Sequence, residues 1–393
     1  MSKLTNTWNI EKFNTPAFIY NEKNILQSLN NVDQIRSNSG CKILFPVKAF
    51  SIYDGLILIS SIIDGFSTSS LFEAQLAKDI LGSNGQIHVI TPAYKPDEIE
   101  SIAQLADYIT FNSLTQWERY FVHVSEHASC GLRVNPQLSY VKDDRYNPCR
   151  KQSKLGVPLK QLIKALEAES RLYYEIEGIH FHTNSRSESY SPLLETVQHL
   201  DKYLSPLLLR IKWINLGGGY LINEAERMDD LCKAIELLKR KYDLDVFIEP
   251  GLGVVEEAGY IVSSVIDIFE SEGQNIAILD TTVNHMPEVF EYQYKPDVMQ
   301  ESPNGRYECI LAGSTCLAGD IFGTYTFAQP LEIGTQIVFE YMGAYTLVKA
   351  HMFNGVNLPS IYALTRDNRL ELKKQFGYDD YLSRCGVTKR VPV

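Results

Sequence analysis

No stretch of this sequence is apolar for long enough to cross a membrane as a helix, which takes about 20 such residues. The segment Met1 to Glu11 carries no signal-peptide core. No Cys-x-x-Cys occurs, and seven cysteines, odd in number and irregular in spacing, make no disulfide framework. A reducing cytoplasm is the expected location. Positive charge is also short: 37 Lys and Arg against 48 Asp and Glu give a formal net charge of −11. That balance argues against nucleic acid or an anionic membrane as the main partner. Internal repeats and low-complexity segments are missing too.

What is present is a chain of 393 residues, 45 % apolar, enough for one large domain and a smaller one. From Ile43 to Glu249 short apolar runs alternate with amphipathic stretches, the pattern of βα units around a parallel sheet. The candidate strands are Ile43–Val47, Gly65–Ser67, Ile87–Thr91, Tyr108–Asn112, Gly131–Asn135, Gly178–His182, Trp213–Leu216 and Asp245–Glu249. Helical spacing lies between them, as in Leu231, Ala234, Ile235 and Leu238. The expected fold class is α/β: a (β/α)8 TIM-like barrel over residues 36–255, followed by a β-rich C-terminal domain. That second domain takes residues 256–393 together with 1–35. Its runs Ile261–Phe269, Ile276–Leu279, Tyr307–Leu311 and Ile337–Tyr341 read as strands, with no good helix until about Thr346. Gln137–Pro158 interrupts the barrel rhythm and reads as a long loop on the active face.

In such a barrel, chemistry belongs at the C-terminal ends of the strands. Lys48 follows the first strand, Ser69 and Ser70 the second, and Arg133 and Asn135 end the fifth. His182 ends the sixth, Gly217-Gly218-Gly219 follows the seventh, and Glu249-Pro250-Gly251 ends the eighth. All fall on one rim.

Each residue has two readings. Lys48 is either a lysine reaching solvent at a strand end or a desolvated amine able to form a Schiff base with a carbonyl. The three glycines are a flexible turn, or a place where backbone N–H groups can approach an anion. His180 and His182 share one strand face. A zinc pair would need a third ligand that no spacing supplies. An imidazole stacked on a flat ring suits His182, and His180 can be a core histidine. Glu249 ends an apolar strand, so its charge needs a partner: a lysine or arginine, or a pyridinium nitrogen. Cys316, in Cys316-Leu317-Ala318-Gly319-Asp320, is either an inert small hydrophobe or a proton donor. Tyr345 is by default a packing residue.

Together the rim residues make the parts of a pyridoxal 5'-phosphate (PLP) site: a lysine for the imine, glycines for the phosphate, an acid for the ring nitrogen and a histidine for the ring face. The Lys48 strand, His182, the triple glycine, Glu249-Pro250-Gly251, Cys316-x-x-x-Asp320 and Gly343-Ala344-Tyr345-Thr346 resemble the alanine racemase-like (fold type III) PLP decarboxylases. The match runs along nearly the whole chain. Within that group the chain is most similar to the carboxynorspermidine decarboxylases, through Ser69-Ser70-Leu71-Phe72-Glu73-Ala74, Pro92-Ala93-Tyr94-Lys95, His285-Met286-Pro287-Glu288-Val289 and Lys349-Ala350-His351-Met352-Phe353-Asn354-Gly355.

The resemblance implies decarboxylation of an α-amino acid head group, with Ser185 and Tyr345 joining Gly217, Gly218, Gly219 and Gly251 around the cofactor. It implies Cys316 as the proton donor, and assigns Arg133, Asp320 and Glu288 to the small-molecule, amino-acid-like substrate. It also implies a homodimer in which the Cys316 loop serves the neighbouring subunit. Leu252 after Glu-Pro-Gly, and Thr183-Asn184-Ser185-Arg186 after His182, depart from the family pattern. They leave open an aminocarboxypropyl group on a peptide-nucleotide, as in microcin C-type maturation. Two other classes stay open. A non-catalytic PLP carrier would lack the second domain, and a Schiff-base aldolase would have no use for Glu249.

Overall fold

The structure, a computed structural model, describes residues 14–221 and 228–387. They fall into two compact units, Leu26–Val254 and the described residues on either side of that span. Counted from the N-terminus, β1 (Ala17–Asn21) belongs to the second unit, and the barrel starts at β2 (Lys42–Pro46). It continues through β3 (Gly65–Thr68), β4 (Gln86–Ile90), β5 (Tyr108–Phe111) and β6 (Ser129–Asn135). The two-residue β7 (Val157–Pro158) is an outrigger on β6, followed by β8 (Gly178–His180), β9 (Trp213–Asn215) and β10 (Asp245–Ile248). All the barrel pairings are parallel. They run β5-β4-β3-β2-β10-β9-β8-β6, and a β5–β6 pairing closes the circle. The eight expected strands are therefore the eight observed ones, differing by a residue or two at their ends.

The strands are buried almost without interruption, as a parallel sheet sheathed in helices requires. The helix Asp229–Tyr242 turns Leu231, Ala234, Ile235 and Leu238 inward, the predicted face. Ser70 and Ser113 cap the helices Leu71–Leu81 and Leu114–Val124, each accepting a backbone N–H three residues on. Inside the barrel, Leu44, Trp213 and Phe247 form a core that Tyr108 joins. Burying a side chain such as Leu44 or Phe247 stabilises the fold by about 1.5–3 kcal/mol. A Cβ on Gly178 would lie 2.1 Å from the Trp213 ring, so that glycine makes room for the indole.

The second unit is one sheet built from β11 (Gly259–Ser271), β12 (Gln274–Leu279), β13 (Tyr307–Ala312), β14 (Ile321–Phe327), β15 (Gln336–Phe339), β16 (Ser360–Leu364) and β17 (Leu370–Lys374), with β1. Its order is β14-β13-β12-β11-β1-β16-β17, and β15 also pairs with β11. The N-terminal strand lies antiparallel to β11 (Ala17 opposite Val262) and parallel to β16 (Ala17 opposite Ser360). Ala17, Ile19, Tyr260, Val262 and Val338 cluster there.

One expectation for this unit fails. A short helix forms at Pro287–Tyr292, well before Thr346, because Pro287 sits at the first helical position, where its fixed φ favours the turn. After Thr346 there are only single 3-10 turns until the helix Tyr378–Arg384.

Candidate active site

β2 ends at Pro46, and Val47–Ala49 makes one 3-10 turn in which Val47 and Ala49 are buried while Lys48 is exposed. The turn carries the amine past the strand end and into a cavity of about 460 Å³. Lys48 faces the open space of this cavity at the barrel mouth. Arg133, His182, Ser185 and Glu249 line the same cavity, with His180 below them. Asp144, Arg145, Tyr146 and Asn147, from the long loop at 137–158, line it as well, so that loop does lie on the active face.

His182 is held by its Nδ1, which accepts the Gly218 N–H at 3.1 Å. That contact puts the ring proton on Nε2. Burial in the wall pushes the imidazole down to about 3, and the charges of Lys48 and Arg133 add to the effect, so the ring is neutral. His180 is 2 % exposed and also held well below its ordinary range, chiefly by burial. Its Nδ1 has no partner among the described residues. Burial lowers the Arg133 guanidinium to about 10, and the Glu249 charge opposes the shift.

Glu249 is 5 % exposed, and its Oε1 accepts Nδ2 of Asn215 at 2.8 Å. The carbonyl oxygen of Asn215 accepts the Gly217 N–H at 2.9 Å. Two of the three glycine amides are thus engaged, Gly217 by Asn215 and Gly218 by His182. Among the described residues, the Gly219 amide is the one left for an anion. Side chains are excluded on all three. A Cβ would come within 2.5 Å of the Phe181 carbonyl at Gly217, 2.1 Å of the Glu249 carbonyl at Gly218 and 2.2 Å of the Asn184 carbonyl at Gly219. Gly251 abuts the lysine turn, where its Cβ would lie 2.7 Å from Pro46 Cγ.

Three residues at this site escaped the sequence reading. Asn215 is one, and a polar residue closing the apolar strand before the glycines was the only signal. Glu73 is the second: its carboxylate accepts the Ser69 N–H at 2.7 Å, and burial raises it while the nearby Lys48 charge opposes. The Ser70-x-x-Glu73 spacing of a capping box marks it. Cys149 is the third, its thiol 3.6 Å from the His182 carbonyl and pushed up to about 11 by burial, which leaves it unreactive.

Cys316, Asp320, Glu288 and Tyr345 belong to the other unit. Cys316 is exposed on the loop between β13 and β14. Asp320 is 3 % exposed and accepts the backbone N–H of Val283 at 2.8 Å and of Thr315 at 3.0 Å, together with the Thr315 hydroxyl. Glu288 faces the Lys349 ammonium at 3.4 Å. Tyr345 adopts φ +55°, a left-handed backbone that a tyrosine rarely takes.

Residues 23–262 match the family model described as "Pyridoxal-dependent decarboxylase, pyridoxal binding domain". The chain belongs to the pyridoxal-dependent decarboxylases. It is 36 % identical over 378 residues to the carboxyaminopropylagmatine decarboxylase of Synechocystis sp., covering 95 % of each chain. It is 34 % identical to the carboxynorspermidine/carboxyspermidine decarboxylase of Campylobacter jejuni, covering 95 % of this chain and 99 % of that one. Among solved structures, the Campylobacter jejuni carboxynorspermidine decarboxylase complexed with norspermidine superposes with a TM-score of 0.85 at 32 % identity, over 95 % of this chain and all of that one. These relatives lend no support to the microcin C-type alternative.

The site of this pyridoxal-dependent decarboxylase fits the cofactor its family name implies. The cavity is of small-molecule size. It offers an exposed lysine, a buried carboxylate with one oxygen fixed by Asn215, a neutral imidazole, an orphaned His180 nitrogen and a free Gly219 amide.

Proposed function

We propose that this decarboxylase removes the α-carboxylate from a 3-amino-3-carboxypropyl head group, on a substrate of the carboxynorspermidine or carboxyspermidine kind, with PLP as cofactor. The reading rests on Lys48, His182, Arg133 and Glu249 surrounding one cavity, in a chain at least 34 % identical over 95 % of its length to two enzymes named for such substrates.

PLP, when bound, supplies the electron sink that draws off the pair left by the departing carbon dioxide. The residues do the rest. Lys48 would hold the cofactor through its side-chain amine. The neutral His182 ring, locked by Gly218, offers a flat face that excludes water. Glu249 would keep a proton on the ring nitrogen through one oxygen, while Asn215 holds the other. The Gly219 amide and the Ser185 hydroxyl would hold the phosphate, with Tyr345 contributing. Arg133 and Glu288 contact substrate. Cys316 gives its thiol proton to the carbon that lost the carboxylate and regains one from solvent.

We further infer a two-fold homodimer in which the Cys316 loop serves the barrel of a second copy. Seven unpaired cysteines support a reducing, cytoplasmic setting.

The test is amine formation and carbon dioxide release over carboxynorspermidine, carboxyspermidine, diaminopimelate, ornithine, arginine and an aminocarboxypropyl-nucleotide. The highest kcat/KM is expected for the first two. A preference for diaminopimelate or ornithine overturns the assignment.

A further inference from the structure

The loop that carries Cys316 is held at two points. At its base, the buried Asp320 carboxylate gathers the N–H groups of Val283 and Thr315 and the Thr315 hydroxyl, and the Asp320 carbonyl accepts the Gly313 N–H at 2.8 Å. With three donors on it and 3 % exposure, this carboxylate is in no position to meet a substrate. At the tip, the backbone N–H of Cys316 donates to Oδ1 of Asn354 at 2.8 Å. Asn354 comes from the single turn Phe353–Gly355 and takes φ +55° and ψ 13°, a left-handed conformation that asparagine and glycine adopt at low cost.

We propose that Asn354 and Asp320 are positioning residues that fix Cys316 for proton delivery, and that Asp320 is not a substrate ligand. The inference rests on Cys316 being the proton donor. A thiol on an exposed loop that swung freely would protonate a planar carbon from either face. A loop pinned at its base and at the cysteine's own N–H presents the proton from one side.

Asn354→Gly keeps the left-handed backbone and removes the acceptor, whereas Asn354→Asp keeps an oxygen at the same reach. Two readouts on the full-length holoenzyme separate the possibilities. The first is the rate of carbamidomethylation of Cys316, followed by peptide mass against exposed Cys385 as internal reference, in the presence and absence of cofactor. The second is the configuration of the deuterium carried by the product amine when turnover runs in D2O.

Loss of one hydrogen bond frees the loop, so Asn354→Gly is expected to change the Cys316 rate by about two- to tenfold while Cys385 is unaffected. The deuterium should pass from one configuration to a mixture, with Asn354→Asp close to wild type in both. Asp320→Asn should shift the Cys316 rate with KM unchanged. An unchanged Cys316 rate in Asn354→Gly overturns the positioning role. A shifted rate with deuterium still in one configuration overturns the donor role of Cys316 and leaves the loop anchoring intact. A raised KM in Asp320→Asn with an unchanged Cys316 rate would restore Asp320 as a substrate ligand.

Discussion

The side-chain amide of Asn215 joins two sequence-distant parts of the rim, donating to Glu249 at 2.8 Å while accepting from the Gly217 N–H at 2.9 Å. The backbone contact fixes which end of the amide faces the acid, so Glu249 meets a donor and keeps its second oxygen available. Hydrogen bonds to charged groups contribute about 1.5–3 kcal/mol. Asn215→Ala should lower kcat/KM by about ten- to a hundredfold while leaving cofactor bound. Steady-state kinetics with cofactor absorbance read both, and wild-type kinetics would show the bridge to be ornamental.

Glu249→Gln removes the charge but keeps the shape. A neutral amide cannot keep the cofactor ring nitrogen protonated, so kcat and kcat/KM should fall together with cofactor content unchanged. An unaltered kcat would assign the acid to structure alone, as the partner of Asn215.

Acid should weaken the barrel through His88. This ring is fully buried, stacked on Tyr108 with centroids 4.1 Å apart, and neither nitrogen has a partner among the described residues. Burial, reinforced by the Lys42 charge, holds it well below 6.5. Below about pH 6.5 the unfolded chain binds a proton there that the folded chain refuses. Stability from this residue therefore falls as pH falls, by about 1.4 kcal/mol per pH unit. Urea titrations between pH 6.5 and 5 should show a shallower decline in His88→Phe by that amount. Parallel curves for the two proteins would contradict it.

Shared sites make a sharp prediction for mixed mutants. Lys48→Ala and Cys316→Ala should each be inactive in amine formation. If Cys316 serves the partner, half of the randomly exchanged dimers are mixed, and each holds one intact site of two. About a quarter of wild-type activity should return. No recovery after proven subunit exchange would mean that Cys316 acts within its own subunit or not at all.

The barrel and its rim were legible because both follow from local pattern. Buried runs ending in Lys48, His182 or Glu249 name the strands and their functional ends at once. Asn215 was not legible as a partner of Glu249, because the contact arises only when β9 and β10 pair in parallel and bring together residues 34 apart in sequence. The contacts of Asp320 were illegible for a similar reason. Beside a cysteine it looks like chemistry, and only the fold brings Val283 and Thr315 onto its oxygens. The β-rich unit was read in outline, but β1, β14, β16 and β17 were missed. Short strands such as Ser360–Leu364 are specified by their neighbours, here β1, more than by their own composition.

The most direct measurement is borohydride reduction of the purified holoenzyme followed by peptide mapping. Lys48 should carry the reduced cofactor, in a protein that is yellow beforehand and loses that colour on reduction. A label on any other lysine, or no cofactor taken up after reconstitution with pyridoxal phosphate, would contradict the assignment of this cavity as the active site of a decarboxylase.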